Sequence, residues 1–94
     1  MRGLDWSDES LVDLDRIGAY IALYDRAASR RVLKAIRASL ERVREHPLSA
    51  PLNVDLGLHK LTVARYPYVV LYRSTEKLIE IARVHHAAEN WRPA

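Results

Sequence analysis

The sequence predicts a single α+β domain spanning residues 1–94: a short N-terminal strand, a hairpin of two helices, and a three-stranded antiparallel meander packed on the helices. Three observations predict it. Apolar residues recur at three- and four-residue steps up to Pro47, the spacing that lines one face of a helix. Beyond Gly57 the pattern changes to three short runs rich in β-branched and aromatic residues, split by two compact polar turns, as in strands joined by hairpins. A chain of 94 residues suits one small domain, expected to bury roughly 60–70% of its unfolded surface.

Leu4 and Trp6 alternate with polar neighbours, which predicts a short edge strand ending at Ser7. Ser7 is a favourable helix N-cap, and Asp8 and Glu9 put negative charge at the positive end of the helix dipole. Leu11, Leu14, Gly18 and Ile21 mark the apolar face of the first helix. Ile17, Tyr20 and Tyr24 widen that stripe beyond what packing on one small sheet requires. Asp25 is placed to cap a second helix over residues 26–45, which contains neither Gly nor Pro. Its seam is Leu33, Ile36, Leu40 and Val43. Arg30, Lys34, Arg37 and Glu41 lie on a neighbouring face, at spacings that suit an Arg37–Glu41 pair. Pro47 ends the helix, because proline disfavours helical geometry at His46 before it. The short connection between the helices implies an antiparallel hairpin.

Residues 47–57, PLSAPLNVDLG, read as a loop. Strands follow over residues 58–65, 68–73 and 78–86, with turns at Tyr66-Pro67 and at residues 74–77. Val69, Val70 and Leu71 are consecutive and apolar, which predicts a central strand covered on both faces. The last run slips phase: Ile79 and Ile81 share one face, Ala82 and Val84 the other. A β-bulge or a two-sided strand accounts for this equally well.

Composition narrows the chemistry. With no cysteine, a disulfide framework, a thiolate metal site and a thiol nucleophile are all excluded. The first ten residues lack an apolar signal core and no run reaches transmembrane length, so a cytoplasmic location with no membrane contact is expected. The net charge of +3 is compatible with an acidic or phosphate-bearing partner and leaves direct nucleic-acid binding open. No cofactor or metal is expected, since His46 and His59 stand at no ligand spacing to His85 and His86.

Three groups carry candidate chemistry. The pair His85-His86, with Glu89 beyond, includes a group tuned for acid–base work at neutral pH. Adjacent strand residues point to opposite faces, so only one of the two fits a given site. The plain alternative is a polar strand end packed against Trp91. Arg65, Arg73 and Arg83 with Lys60 form a second group, either one basic patch gripping phosphate or carboxylate, or the solvated edges of a sheet. Tyr66, Tyr68 and Tyr72 form the third, better read as core and partner-facing anchors than as base-stacking platforms.

The order strand, helix pair, meander, together with Tyr-Pro-Tyr-Val-Val-Leu-Tyr-Arg at 66–73 and Ile-Ala-Arg-Val-His-His at 81–86, resembles the ParE/RelE superfamily. These are the small toxins of type II toxin–antitoxin pairs. The resemblance implies a ParD-like antitoxin that forms a hetero-oligomer with the chain, for which Ile17, Tyr20, Tyr24 and Arg37 are the expected contacts. RelE-like members that cut messenger RNA on the ribosome carry cations on the second strand, early in the third and after the fourth. This chain keeps Lys60, but Thr62, Val69 and Ala87 stand where other cations would fall. Some such members use histidines, so the ribonuclease alternative assigns Lys60, Arg65, His85 and His86. ParE-like members instead poison DNA gyrase by binding. Arg83 to His86 and the nearby Trp91 are similar to that branch, which makes Arg73, Arg83, His85, His86, Trp91 and Arg92 the expected gyrase contacts and catalysis the less favoured reading. A non-toxic interaction module is the third possibility.

Overall fold

In the computed structural model, which describes residues 1–89, the chain runs β1 (Gly3–Trp6), α1 (Asp8–Ala22), α2 (Arg26–Glu45), β2 (Leu52–Asn53), β3 (Leu58–Thr62), β4 (Tyr68–Ser74), β5 (Leu78–His86). The five strands form one sheet in the order β1-β5-β4-β3-β2. β1 joins β5 in parallel, with Leu4 opposite Ile79 and Trp6 opposite Ile81, and every other neighbour is antiparallel. The meander therefore supplies the middle of the sheet and the N-terminal strand its far edge. Among the described residues no helix is long and apolar enough to cross a membrane.

Local chemistry sets the helix ends. The Ser7 hydroxyl accepts the Ser10 N–H at 3.0 Å, and the Asp25 carboxylate accepts that of Ala28 at 3.0 Å, so both caps form where side-chain acceptors stand. Both helices lie on one side of the sheet, where Ile36, Leu40 and Val43 of α2 join Val70, Tyr72, Ile79, Ile81 and Val84 in the buried core. Tyr72 also anchors the segment after α2. Its hydroxyl donates to the Pro47 carbonyl at 2.9 Å, and its ring stacks on His59, whose Nδ1 lies 2.8 Å from the Ala50 carbonyl oxygen.

β4 is the middle strand, and Tyr68 through Tyr72 are all buried. Tyr68, Val70 and Tyr72 face the helices, while Val69 and Leu71 face the other way, flanked through the register by Thr62, Lys60, Arg83 and His85. The phase slip in the last strand is a β-bulge. Leu71 pairs with Arg83 but Tyr72 with Ile81, which leaves Ala82 unpaired and returns Val84 to the side of Ile79 and Ile81.

Four expectations are corrected. The segment 47–57 is not all loop, because Leu52–Asn53 pairs with β3 and adds a fifth strand. Strand pairing is set by the partner, and two residues between proline and turn carry no periodicity of their own. β3 ends at Thr62 and not at residue 65, since the chain turns at residues 64–67 with Arg65 at φ 73°. Leu11 is 46% exposed, whereas Ser10 and Asp13 are buried, because α1 presses a polar flank against β5. Glu41 pairs with Arg44 at 2.9 Å; no Arg37–Glu41 pair occurs among the described residues.

Candidate partner-binding face

β5 outruns its neighbour. β1 pairs only with Leu78 through Ile81, so beyond that point the outer edge of β5 has no strand beside it. Exposed edges of this kind recruit other strands unless they are blocked. Here α1 blocks it with side chains. The Ser7 hydroxyl donates to the Ala82 carbonyl at 2.8 Å, and Asp13 Oδ2 accepts the Val84 N–H at 2.9 Å. The same carboxylate receives Arg83, Nε at 2.7 Å to Oδ2 and Nη2 at 2.9 Å to Oδ1. Donating to the Asp13 carboxylate raises the Arg83 pKa above its ordinary value against the opposing effect of burial, with Asp13, Glu9 and Glu89 adding negative potential.

Above this seal α1 shows solvent an apolar surface. Val12, Arg16 and Tyr20 follow one another at four-residue steps of α1, and Leu23 and Tyr24 in the turn after the helix continue the stripe. Val12 is 52% exposed, Tyr20 62%, Leu23 79% and Tyr24 78%. The rings of Tyr20 and Tyr24 meet edge to face, centroids 5.7 Å apart. Beside the stripe, Arg16, Ile17 and Tyr20 face Tyr68, His86 and Glu89 across a cleft of about 260 Å³. His86 packs edge-on against Tyr68 at 5.4 Å, and its Nδ1 accepts the Ala88 N–H at 3.0 Å. Burial raises the Tyr68 pKa, and Tyr20 and Glu89 nearby act in the same direction.

The two histidines do part company. His86 lies opposite Tyr68 and faces α1, whereas His85, opposite Val69, faces the helix-free side and is only 8% exposed. Its Nδ1 is 2.8 Å from the His86 carbonyl oxygen. Lys60, Arg73 and Arg83 share that helix-free side around Leu71, but Arg73 binds Glu80 at 2.6 Å and Arg83 binds Asp13. Arg65 sits apart in the β3–β4 turn. The four arginine and lysine side chains therefore do not form one grip. Lys60 and His85 are two strands and two residues apart, roughly 12 Å by sheet geometry. Arg37 is exposed on α2, Ile17 is half-buried, and Trp91 and Arg92 lie outside the described residues. Among the described residues no cluster of three or more His, Asp or Glu is placed to hold a metal. Sequence reasoning missed Asp13 and Val12. The signal for Asp13 was the spacing Ser7, Ser10, Asp13, polar residues at three-residue steps next to Leu14.

The profile of the family described as ParE toxin of type II toxin-antitoxin system, parDE, matches residues 4–91. The chain belongs to the ParE toxin family. Among its relatives, a protein of Sinorhizobium fredii (strain NBRC 101917 / NGR234) named toxin Y4kP is 34% identical over 86 residues, covering 92% of this chain and 88% of that one. Toxin RelE2 of Caulobacter vibrioides (strain ATCC 19089 / CIP 103742 / CB 15) is 30% identical over 83 residues, covering 88% and 92%. The fold is similar to that in a solved structure of the chromosomal ParDE system from P. aeruginosa, with a TM-score of 0.77 at 22% identity, covering 92% of this chain and 96% of that one. The α+β ParE fold expected from the sequence is thus the fold found. In this ParE-family toxin the exposed stripe of α1 and the sealed end of β5 lie side by side.

Proposed function

We propose that this ParE-family toxin acts by binding DNA gyrase and is neutralised by a ParD-like antitoxin whose C-terminal segment covers the α1 stripe. The carrying observation is the exposure of Tyr20 on α1 and Tyr24 in the turn after it, beside a helix face already committed to the core. Apolar anchors at helical spacing suit an amphipathic segment laid in a groove. The cleft between Tyr20 and His86 suits one anchor of such a segment, and Arg37, exposed on α2 and outside that cleft, is an outlying contact. For the target, the favoured residues are Arg83, His85 and His86 towards the end of β5, Trp91 and Arg92 after it, and Arg73 on β4.

Binding fits better than catalysis. His86 faces α1, Arg65 lies in the β3–β4 turn, and Lys60 and His85 share the helix-free side roughly 12 Å apart, an arrangement that favours separate contacts over four groups gathered at one phosphodiester. Val69, where the ribonuclease branch of the superfamily carries a cation, is buried in the central strand. Inducing the protein in bacteria separates the readings. DNA-damage signalling without ribosome-dependent cleavage of messenger RNA is the expected result. Cleavage by the purified protein that vanishes on His85→Ala or His86→Ala overturns it.

A further inference from the structure

The helical hairpin is electrically lopsided. α1 carries four carboxylates against one arginine, whereas α2 carries seven cations against two carboxylates. A net +5 on one helix exceeds the +3 of the whole chain, so positive charge is concentrated on α2. Part of it lines a groove of about 460 Å³ between α2 and the β3–β4 turn, which shares no residue with the α1 stripe.

The groove exists because its floor is small. Ala35 and Ala38 of α2 face Ala64 of the turn, and three methyl groups leave open a space that larger side chains would fill. Arg31 and Lys34 stand at one end, Arg42 at the other and Arg65 across. Positions 31, 34, 35, 38 and 42 follow one face of the helix. Eleven steps of about 1.5 Å from Arg31 to Arg42 make the groove roughly 16 Å long, about three helical turns. These cations are little used internally. Lys34 and Arg65 have no ion pair among the described residues, and Arg31 reaches Asp25 only at 4.0 Å with both side chains more than half exposed.

We infer that this groove binds an acidic, amphipathic polypeptide segment of a partner protein, carboxylates on the rim and small apolar side chains on the alanine floor. Charge complementarity selects an anion, and the floor selects which kind. A sugar–phosphate backbone offers this floor only the small C–H edges of its sugars, and the one aromatic residue lining the groove, Tyr66, is half-buried against the core, not free to stack on a base. A peptide helix with glutamates along one flank and Ala or Leu along the other matches both features.

The probe is a labelled 16-residue helix-forming peptide of that pattern, compared with a shuffled peptide of equal composition and a single-stranded oligonucleotide of equal length. Binding to the purified chain is followed by fluorescence anisotropy at low and physiological salt. The patterned peptide is expected to bind best and to weaken with salt, as exposed charge pairs do. Lys34→Glu and Ala38→Trp are expected to weaken it at least roughly tenfold, by reversing the rim and filling the floor. Arg65→Gly separates binding from folding: it removes a cation while relieving a left-handed backbone, so the variant should be at least as stable yet bind less. Tyr20→Ala should leave the affinity unchanged. Equal binding of the shuffled peptide, no binding of any peptide, or affinities indifferent to these variants overturns the proposal. Tighter binding of the oligonucleotide, lost in Arg65→Gly, overturns it in favour of nucleic acid.

Discussion

Asp13 and Arg83, seventy positions apart, meet in a two-pronged ion pair of 2.7 and 2.9 Å, and the same carboxylate also holds the Val84 N–H. Asp13 is 4% exposed, so removing it strands both an arginine and a backbone donor. Asp13→Ala should cost about 2–3 kcal/mol, the range for an uncompensated, partly buried group. Asp13→Asn keeps an acceptor for Val84 and should cost less. Urea unfolding of both variants gives the order.

Tyr20 and Tyr24 should separate binding from stability. Both are mainly exposed, so alanine at either position should change folding by no more than about 0.5 kcal/mol. If the stripe is the antitoxin face, the same changes should weaken the complex at least roughly tenfold, as for an aromatic anchor. Calorimetric titration with the cognate antitoxin measures this. Equal affinities would remove Tyr20 and Tyr24 from the interface.

Gly18 lets the two helices approach closely. A methyl built there would lie 3.1 Å from a terminal carbon of Leu33 and 3.6 Å from the Ser29 hydroxyl, which donates to the Gly18 carbonyl at 2.8 Å. Gly18→Ala should be nearly neutral, because the helix gains about 1 kcal/mol in propensity while the end of Leu33 shifts. Gly18→Val adds bulk that cannot be absorbed so easily and should destabilise by about 1–3 kcal/mol. Thermal melts of the two variants discriminate.

Alkaline pH should unfold the protein through its tyrosines. Burial raises the pKa of both Tyr68 and Tyr72 above 10.0. The folded chain then holds protons that the unfolded chain has released, so stability is complete below about pH 10 and falls as pH climbs through the raised values. Denaturant midpoints from pH 8 to 11.5 should show that decline. Tyr72→Phe should flatten it, at a neutral-pH cost of about 1 kcal/mol for the bond to the Pro47 carbonyl.

What was legible in the sequence was local. Ser7 and Asp25 cap helices because a short polar side chain at a helix start finds donors in the next turn, and no distant residue can alter that. The limits of α2 and β5 follow likewise from Pro47 and from unbroken strand-forming residues. The divergence of His85 and His86 was legible from alternation alone, and Tyr20 and Tyr24 from a stripe wider than one sheet can cover. What escaped was set by partners far along the chain. No local pattern says that Arg83 will meet Asp13, that Arg73 will meet Glu80, or that Leu52 will find His59. These depend on the register of the sheet and on where α1 comes to rest.

The parallel pairing of β1 with β5 sets when the molecule takes shape. Gly3 waits for Leu78, and Trp6 for Ile81, so the first strand has no neighbour until nearly all of the described chain has been made. At translation rates of about 5–20 residues per second, that wait is roughly 4–15 s. During it the helical hairpin can form, but its apolar underside has no finished sheet to rest on, because Ile79, Ile81 and Val84 arrive last. Fragments ending before Leu78 lack the strand that joins the two ends of the sheet, together with Arg83, His85 and His86. Folding of this toxin is therefore a closing event, timed by the arrival of β5.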